Sequence, residues 1–115
     1  MPIPSSASLK RMISRHWRGT ARPEEADNYI RHLQQETFPQ LARIEGFVSA
    51  SILRREVARG VEFLIVTVWE SMDAIRQFAG EGVHVAVVPP AAQAMMVEYD
   101  REVAHYEIAD VYHAR

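Results

Sequence analysis

Histidine is the side chain best suited to moving a proton near neutral pH. This chain has five: His16, His32, His84, His105 and His113. No two stand at the i, i+4 spacing of a helical ligand pair and no metal motif surrounds them, so they read as acid–base candidates and no metal is expected. There is no cysteine, which excludes disulfides, a thiolate nucleophile and Cys-based metal sites. A phosphate-cradling glycine loop, a Rossmann fingerprint and a nucleophilic serine elbow are also absent, so no cofactor is expected.

What each histidine can do depends on the element that carries it. Arg11 to Arg18 is rich in large, β-favouring residues and ends at Gly19, which gives a first strand bearing His16. Pro23 with Glu24 and Glu25 behind it suits the first turn of a helix. Ala26, Tyr29, Ile30 and Leu33 follow at helical spacing, giving a helix over Pro23 to Gln35 that Pro39 breaks or restarts. His32 falls at the edge of that apolar face, in solvent. Phe47 to Arg55 reads as strand two, Glu56 to Gly60 as a turn, and Val61 to Glu70 as strand three. Ser71 caps a helix whose apolar stripe is Ala74, Ile75 and Phe78. His84 lies in a loose segment after Gly80 and Gly82. Ala91 to Tyr99 reads as a short helix and Val103 to Tyr112 as the last strand, bearing His105. His113 is at the frayed end.

Strand, helix, strand, strand, helix, strand is the split βαβ order of an α+β, ferredoxin-like fold (βαββαβ), with helices covering one face of a four-stranded antiparallel sheet. Strands one and four would be neighbours, bringing His16 near His105, and His105 shares a face with Glu107. Phe63-Leu64-Ile65-Val66-Thr67-Val68-Trp69 is apolar on both faces, whereas a strand with one wet face alternates. A chain of 115 residues has no spare element to cover the bare face, so a second copy is expected to do so, as a homodimer.

Composition narrows the partners. Apolar residues make up 48% of the chain and charged ones 24%, ordinary values for one globular domain. We place that domain at residues 10–115, behind a flexible leader at 1–9. The net charge of −2 implies no broad basic face and no nucleic-acid partner. The apolar runs are too short to span a membrane, and Met1 to Ser8 lacks the apolar core of a signal peptide, so a cytoplasmic location is expected.

Several stretches resemble the antibiotic biosynthesis monooxygenase family: Met12-Ile13-Ser14-Arg15-His16-Trp17-Arg18-Gly19, Val66-Thr67-Val68-Trp69-Glu70-Ser71, Met72 to Glu81, and His105-Tyr106-Glu107-Ile108. The resemblance covers about Met12 to Ile108. It implies a dimeric α/β barrel, two sheets packed face to face, with a pocket in each subunit between its own sheet and helices. It also implies cofactor-free oxidation of a phenolic, polyketide-like small molecule by O2, or haem degradation, the two activities of characterised members. Trp69 matches a tryptophan lining the substrate pocket of the quinone-forming members. Their Asn four residues earlier and Tyr six residues later are replaced by Ile65 and Ile75. Of the haem-degrading set, the helix Trp position holds Phe78, the His falls near Val88 with His84 one turn away, and strand one offers no Asn. Haem is therefore not expected.

A cofactor-free oxygenase needs a base, a polar clamp for the substrate anion and a dry apolar pocket. The candidate bases are His16, His84 and His105. The candidate pocket walls are Trp69, Phe78 and Tyr29, the last two inward-facing by periodicity; Trp17 suits the dimer face equally well. The alternative is a non-catalytic dimeric domain that binds a small molecule in the same fold.

Overall fold

β1 (Ile13–Ala21) is the middle of the sheet, because its alternate residues find partners on both edges. On one side β3 (Gly60–Trp69) runs antiparallel to it in unbroken register, from Ile13 opposite Trp69 to Ala21 opposite Val61. β2 (Phe47–Val57) continues the sheet beyond β3, with an irregularity at Val48. This computed structural model describes residues 12–114, so the leader expected at 1–9 and the start of the first strand at Arg11 lie outside the described residues.

The other edge of β1 departs from the sequence expectation. The helix beginning at Pro90 ends at Gln93, and Met96–Tyr99 forms a strand, β4, beside Gly19–Ala21. The last strand, β5, is only Ala104–Glu107 and lies beside Ile13–His16. The sheet therefore has five antiparallel strands, ordered β2-β3-β1-β4 with β5 also on β1. The reason is the length of β1: two short strands share an edge of nine residues and satisfy its backbone groups in turn.

The first helical region is longer than expected. A 3₁₀ turn (Pro23–Glu25) leads into α1 (Ala26–His32), a wide π turn (Leu33–Thr37) and α2 (Phe38–Leu41). Pro39 has no N–H and its ring crowds the preceding turn; the wide turn accommodates it, and the α-helix restarts at Phe38 with the proline in its first turn. α3 (Met72–Ala79) begins as anticipated, with Ser71 Oγ accepting from Ala74 N at 3.1 Å, and it closes at Gly80 with φ of 79°. α4 is Pro90–Gln93. Gly19 does not end β1. A Cβ there would lie 2.4 Å from the Trp17 ring, so glycine leaves room for the indole to lie across the strand.

All helices cover one face. Val61, Phe63, Ile65, Thr67 and Trp69 of β3 are buried beneath them, while Leu64, Val66 and Val68 stay half-buried on the opposite, open face. Two core clusters form under the helices. One gathers Tyr29, Leu33, Phe63, Ile65 and Met96. The other gathers Leu41, Trp69, Ala74, Ile75 and Val83. Phe38 packs against both. No helix of the described residues is long and apolar enough to cross a membrane.

Candidate functional site

Where the two clusters meet, packing is incomplete. A cavity of about 70 Å³ opens between sheet and helices. Tyr29, Leu33, Phe38, Ile65, Phe78 and Val88 supply most of its apolar wall; Arg15, His32, Thr37 and Thr67 supply the polar part, and Trp17 also lines it. Pockets that enclose a whole ligand run to roughly 300–1,000 Å³. The cavity is smaller than that, and Val87 on its rim is 46% exposed.

Arg15 dominates the electrostatics. It stands on the helix-covered face of β1 and is only 4% exposed. Its Nη1 donates to the carbonyl of Val83 at 2.6 Å and lies 3.0 Å from His105 Nε2; Nη2 donates to the carbonyl of Val85 at 3.1 Å. The guanidinium also lies over the Phe78 ring, 5.7 Å from its centroid. All these partners are neutral groups. Among the described residues no Asp or Glu pairs with Arg15, and burial lowers its pKa to about 10, which leaves it charged at neutral pH.

His32 reaches the same cavity from α1, its ring stacked on Tyr29 with centroids 6.4 Å apart. Its Nε2 is buried without a hydrogen-bond partner among the described residues. Burial pushes the Tyr29 phenol far above its usual value, so it stays neutral. Thr67 Oγ1 accepts a 2.8 Å hydrogen bond from Trp69 Nε1, which leaves the threonine proton free to turn elsewhere. No group of three or more His, Asp or Glu side chains comes together in a metal-binding arrangement among the described residues.

Comparison with known proteins places this geometry in a family. The profile of the antibiotic biosynthesis monooxygenase family matches residues 12–89. The chain belongs to the antibiotic biosynthesis monooxygenase family. Among solved structures, SnoaB, a cofactor-independent oxygenase from Streptomyces nogalater, matches with a TM-score of 0.60 at 21% identity, covering 89% of this chain and 97% of SnoaB. The ActVA-Orf6 monooxygenase of Streptomyces coelicolor, in complex with the ligand nanaomycin D, matches with a TM-score of 0.64 at 14% identity, covering 93% and 95%. At these identities the likeness is one of fold. Among curated proteins, none matches the chain significantly.

Within this monooxygenase-family fold the sequence-chosen residues separate. Tyr29 and Phe78 line the cavity. Trp69 is fully buried in the second cluster, stacked near Phe78 at 6.0 Å; it touches the cavity through Thr67 and Phe78 and does not line it. Ile65, at the place where the resemblance puts the Asn of the quinone-forming members, forms part of the wall, and Ile75 is core. His105 faces the helices and holds Arg15, with the His84 ring 5.6 Å away and exposed. Burial lowers the His105 pKa, and Arg15, His84 and His16 lower it further. His16 is opposite Ala104, on the open face, so it and His105 lie on neighbouring strands with the sheet between them. There His16 Nε2 is 2.9 Å from Ser14 Oγ and its ring packs edge-on to Tyr106. Burial, then Arg18, lowers the His16 pKa. His113 is in the exposed tail, as anticipated.

The four polar cavity residues, Arg15, His32, Thr37 and Thr67, were not among the sequence candidates. A signal for Arg15 did exist. On β1 it has the same parity as Trp17 and Ile13, so a charged side chain stands in an inward-facing series.

Proposed function

We propose that this protein is a cofactor-independent monooxygenase acting on a small phenolic, polyketide-like molecule with O2. The observation that supports the reading is the cavity between sheet and helices: apolar walls, a buried cation in Arg15 and an unpartnered His32 Nε2, in a chain of this family. In such a site the substrate gives up a proton to a base, and the anion passes an electron to O2. One oxygen atom enters the activated ring carbon as a carbonyl. The other leaves as water with the two hydrogens that carbon carried. An apolar wall shields the radical pair from solvent, and Arg15 stabilises the anion. His32, through Nε2, is the base the cavity offers; His105 acts behind it by holding Arg15. The test is oxygen uptake with an anthrone-like substrate, where one O2 consumed per quinone formed is expected. No uptake, with an anthrone-induced rise in melting temperature, would favour the binding-domain reading. That second reading has one observation of its own: Ile65 makes the wall apolar where the quinone-forming members have Asn.

The functional unit is, on this reading, a homodimer joined through the open sheet face. Leu64, Val66 and Val68 are half-covered there, and Leu53 and Tyr106 are 46% and 58% exposed. Light scattering should give twice 13.1 kDa, and Val66→Lys should give the monomer. A wild-type monomer at micromolar concentration would remove the dimer from the account.

A further inference from the structure

Every carboxylate in an ion pair of the described chain is engaged by an arginine at or near the surface. Glu62 is held by both Arg18 and Arg55, at 2.6 and 2.5 Å, Glu98 by Arg59 at 2.7 Å and Asp73 by Arg76 at 2.7 Å. Arg15 is different. It is the deeply buried arginine, it borders a cavity, and its acceptors are two carbonyl oxygens and an imidazole nitrogen. Buried charges are ordinarily matched by an opposite charge, since desolvation is otherwise uncompensated. The three contacts use three of the five guanidinium N–H groups and leave the Nε–H and one Nη2–H without a described partner, donors that suit the oxygens of a carboxylate or a phenolate. Phe78 beneath the guanidinium and Tyr29 and Ile65 on the walls form an apolar slot beside it.

We infer that the cavity is selective for anions: it takes a planar aromatic bearing an ionised oxygen group, carboxylate or phenolate, which sits on Arg15 while His32 Nε2 meets a second polar group of the same molecule. This deepens the oxygenase reading by giving its substrate a charge, and it rests on that reading for the choice of site. The counter-ion that the described residues do not provide is provided by the ligand. His105 is a positioning residue here: neutral, it accepts from Arg15 and fixes the guanidinium.

The test is anaerobic titration calorimetry on the full chain with two isosteric probes, benzoate and benzamide, followed by 4-nitrophenol, whose phenolate is coloured and whose phenol is not. Benzoate should bind at least about tenfold more tightly than benzamide. Bound 4-nitrophenol should be the coloured phenolate at a pH where the free compound is mostly phenol; this arm separates phenolate from carboxylate recognition. Arg15→Gln, which keeps donors for Val83 and Val85, should bring the two affinities together, and His32→Gln should leave the preference for benzoate in place. Equal affinities in the wild type, no binding of either probe, or a preference that survives Arg15→Gln would overturn the inference. Should Arg15→Gln not fold, the wild-type comparison still decides, and Arg15→Lys must keep the sign of the preference. Failure of the oxygenase reading is distinguishable: tight benzoate binding without O2 uptake removes catalysis alone, whereas O2 uptake without an anion preference removes this inference alone.

Discussion

The two core clusters lie under the same helices and on the same sheet, yet they solve their polar problems differently. In the cluster around Trp69, the one indole N–H is satisfied by Thr67 two residues away, and Leu41, Trp69 and Ile75 are all 2% exposed or less. In the cluster around Tyr29 the wall residues Leu33 and Ile65 keep 5% and 8% exposure, and the seam with its neighbour holds a cavity. The buried side-chain atoms without partners among the described residues are His32 Nε2, which faces that cavity, and His105 Nδ1, one residue behind it on Arg15. The unsatisfied polarity thus borders the seam between the clusters, through His32 directly and through Arg15 for His105, while fully buried side chains lie on either side of it, Phe63 in one cluster and Trp69 and Ile75 in the other.

The contrast can be broken most severely at Ile75. It is fully buried, so Ile75→Ala should fall at the upper end of the about 2–5 kcal/mol range for Ile→Ala, whereas Ile65→Ala at the cavity wall should fall at its lower end because that side chain is already less completely packed. Denaturant unfolding measures both, and equal costs would mean that the two clusters are packed alike.

Trp69→Phe comes next. It keeps the apolar body and removes the N–H that orients Thr67, so it should cost about 1 kcal/mol. Any oxidation of a phenolic substrate should fall as well, since the altered Thr67 faces the cavity. A large loss of stability with unchanged turnover would assign Trp69 to the core alone.

Acid should act on the cavity end. His105 has a folded pKa below its ordinary 6.5, chiefly through burial and then through Arg15. The unfolded chain therefore takes up a proton first as the pH falls. Stability tied to His105 is complete above 6.5 and is lost between that value and the lower folded one. His16 has the same sign. Melting temperature should decline over that window, and His105→Gln should flatten part of the decline. An unchanged slope would mean that His105 is not held neutral against Arg15.

The smallest effect is expected at His32. Replacing a buried, unpartnered imidazole by an apolar side chain removes an uncompensated polar atom. His32→Leu should therefore leave stability unchanged or raise it by up to about 1 kcal/mol, while abolishing any turnover. A loss above that size would show that His32 serves the fold.

Sequence alone determined the types and order of the elements as far as the helix capped by Ser71, because hydrophobic period, proline, glycine and side-chain capping act within a few residues. The two-sided apolarity of Phe63–Trp69 was legible for the same reason, and so were Tyr29 and Phe78 as cavity walls. The tertiary structure decided the rest. Met96–Tyr99 became a strand because the long edge of β1 needed pairing, which no local pattern reveals. His16 and His105 fell on opposite faces because pairing register, set across almost ninety positions of chain, fixes which alternate residues meet. His32, placed at a solvated helix edge by periodicity, is covered by a wall that includes Val87, Val88 and Pro89, far along the chain. Arg15 became a buried cation facing an apolar cavity only when carbonyls from Val83 and Val85 folded over it. Local sequence sets which face a side chain takes, but long-range packing sets what lies opposite that face, and the chemistry of this site depends on the second.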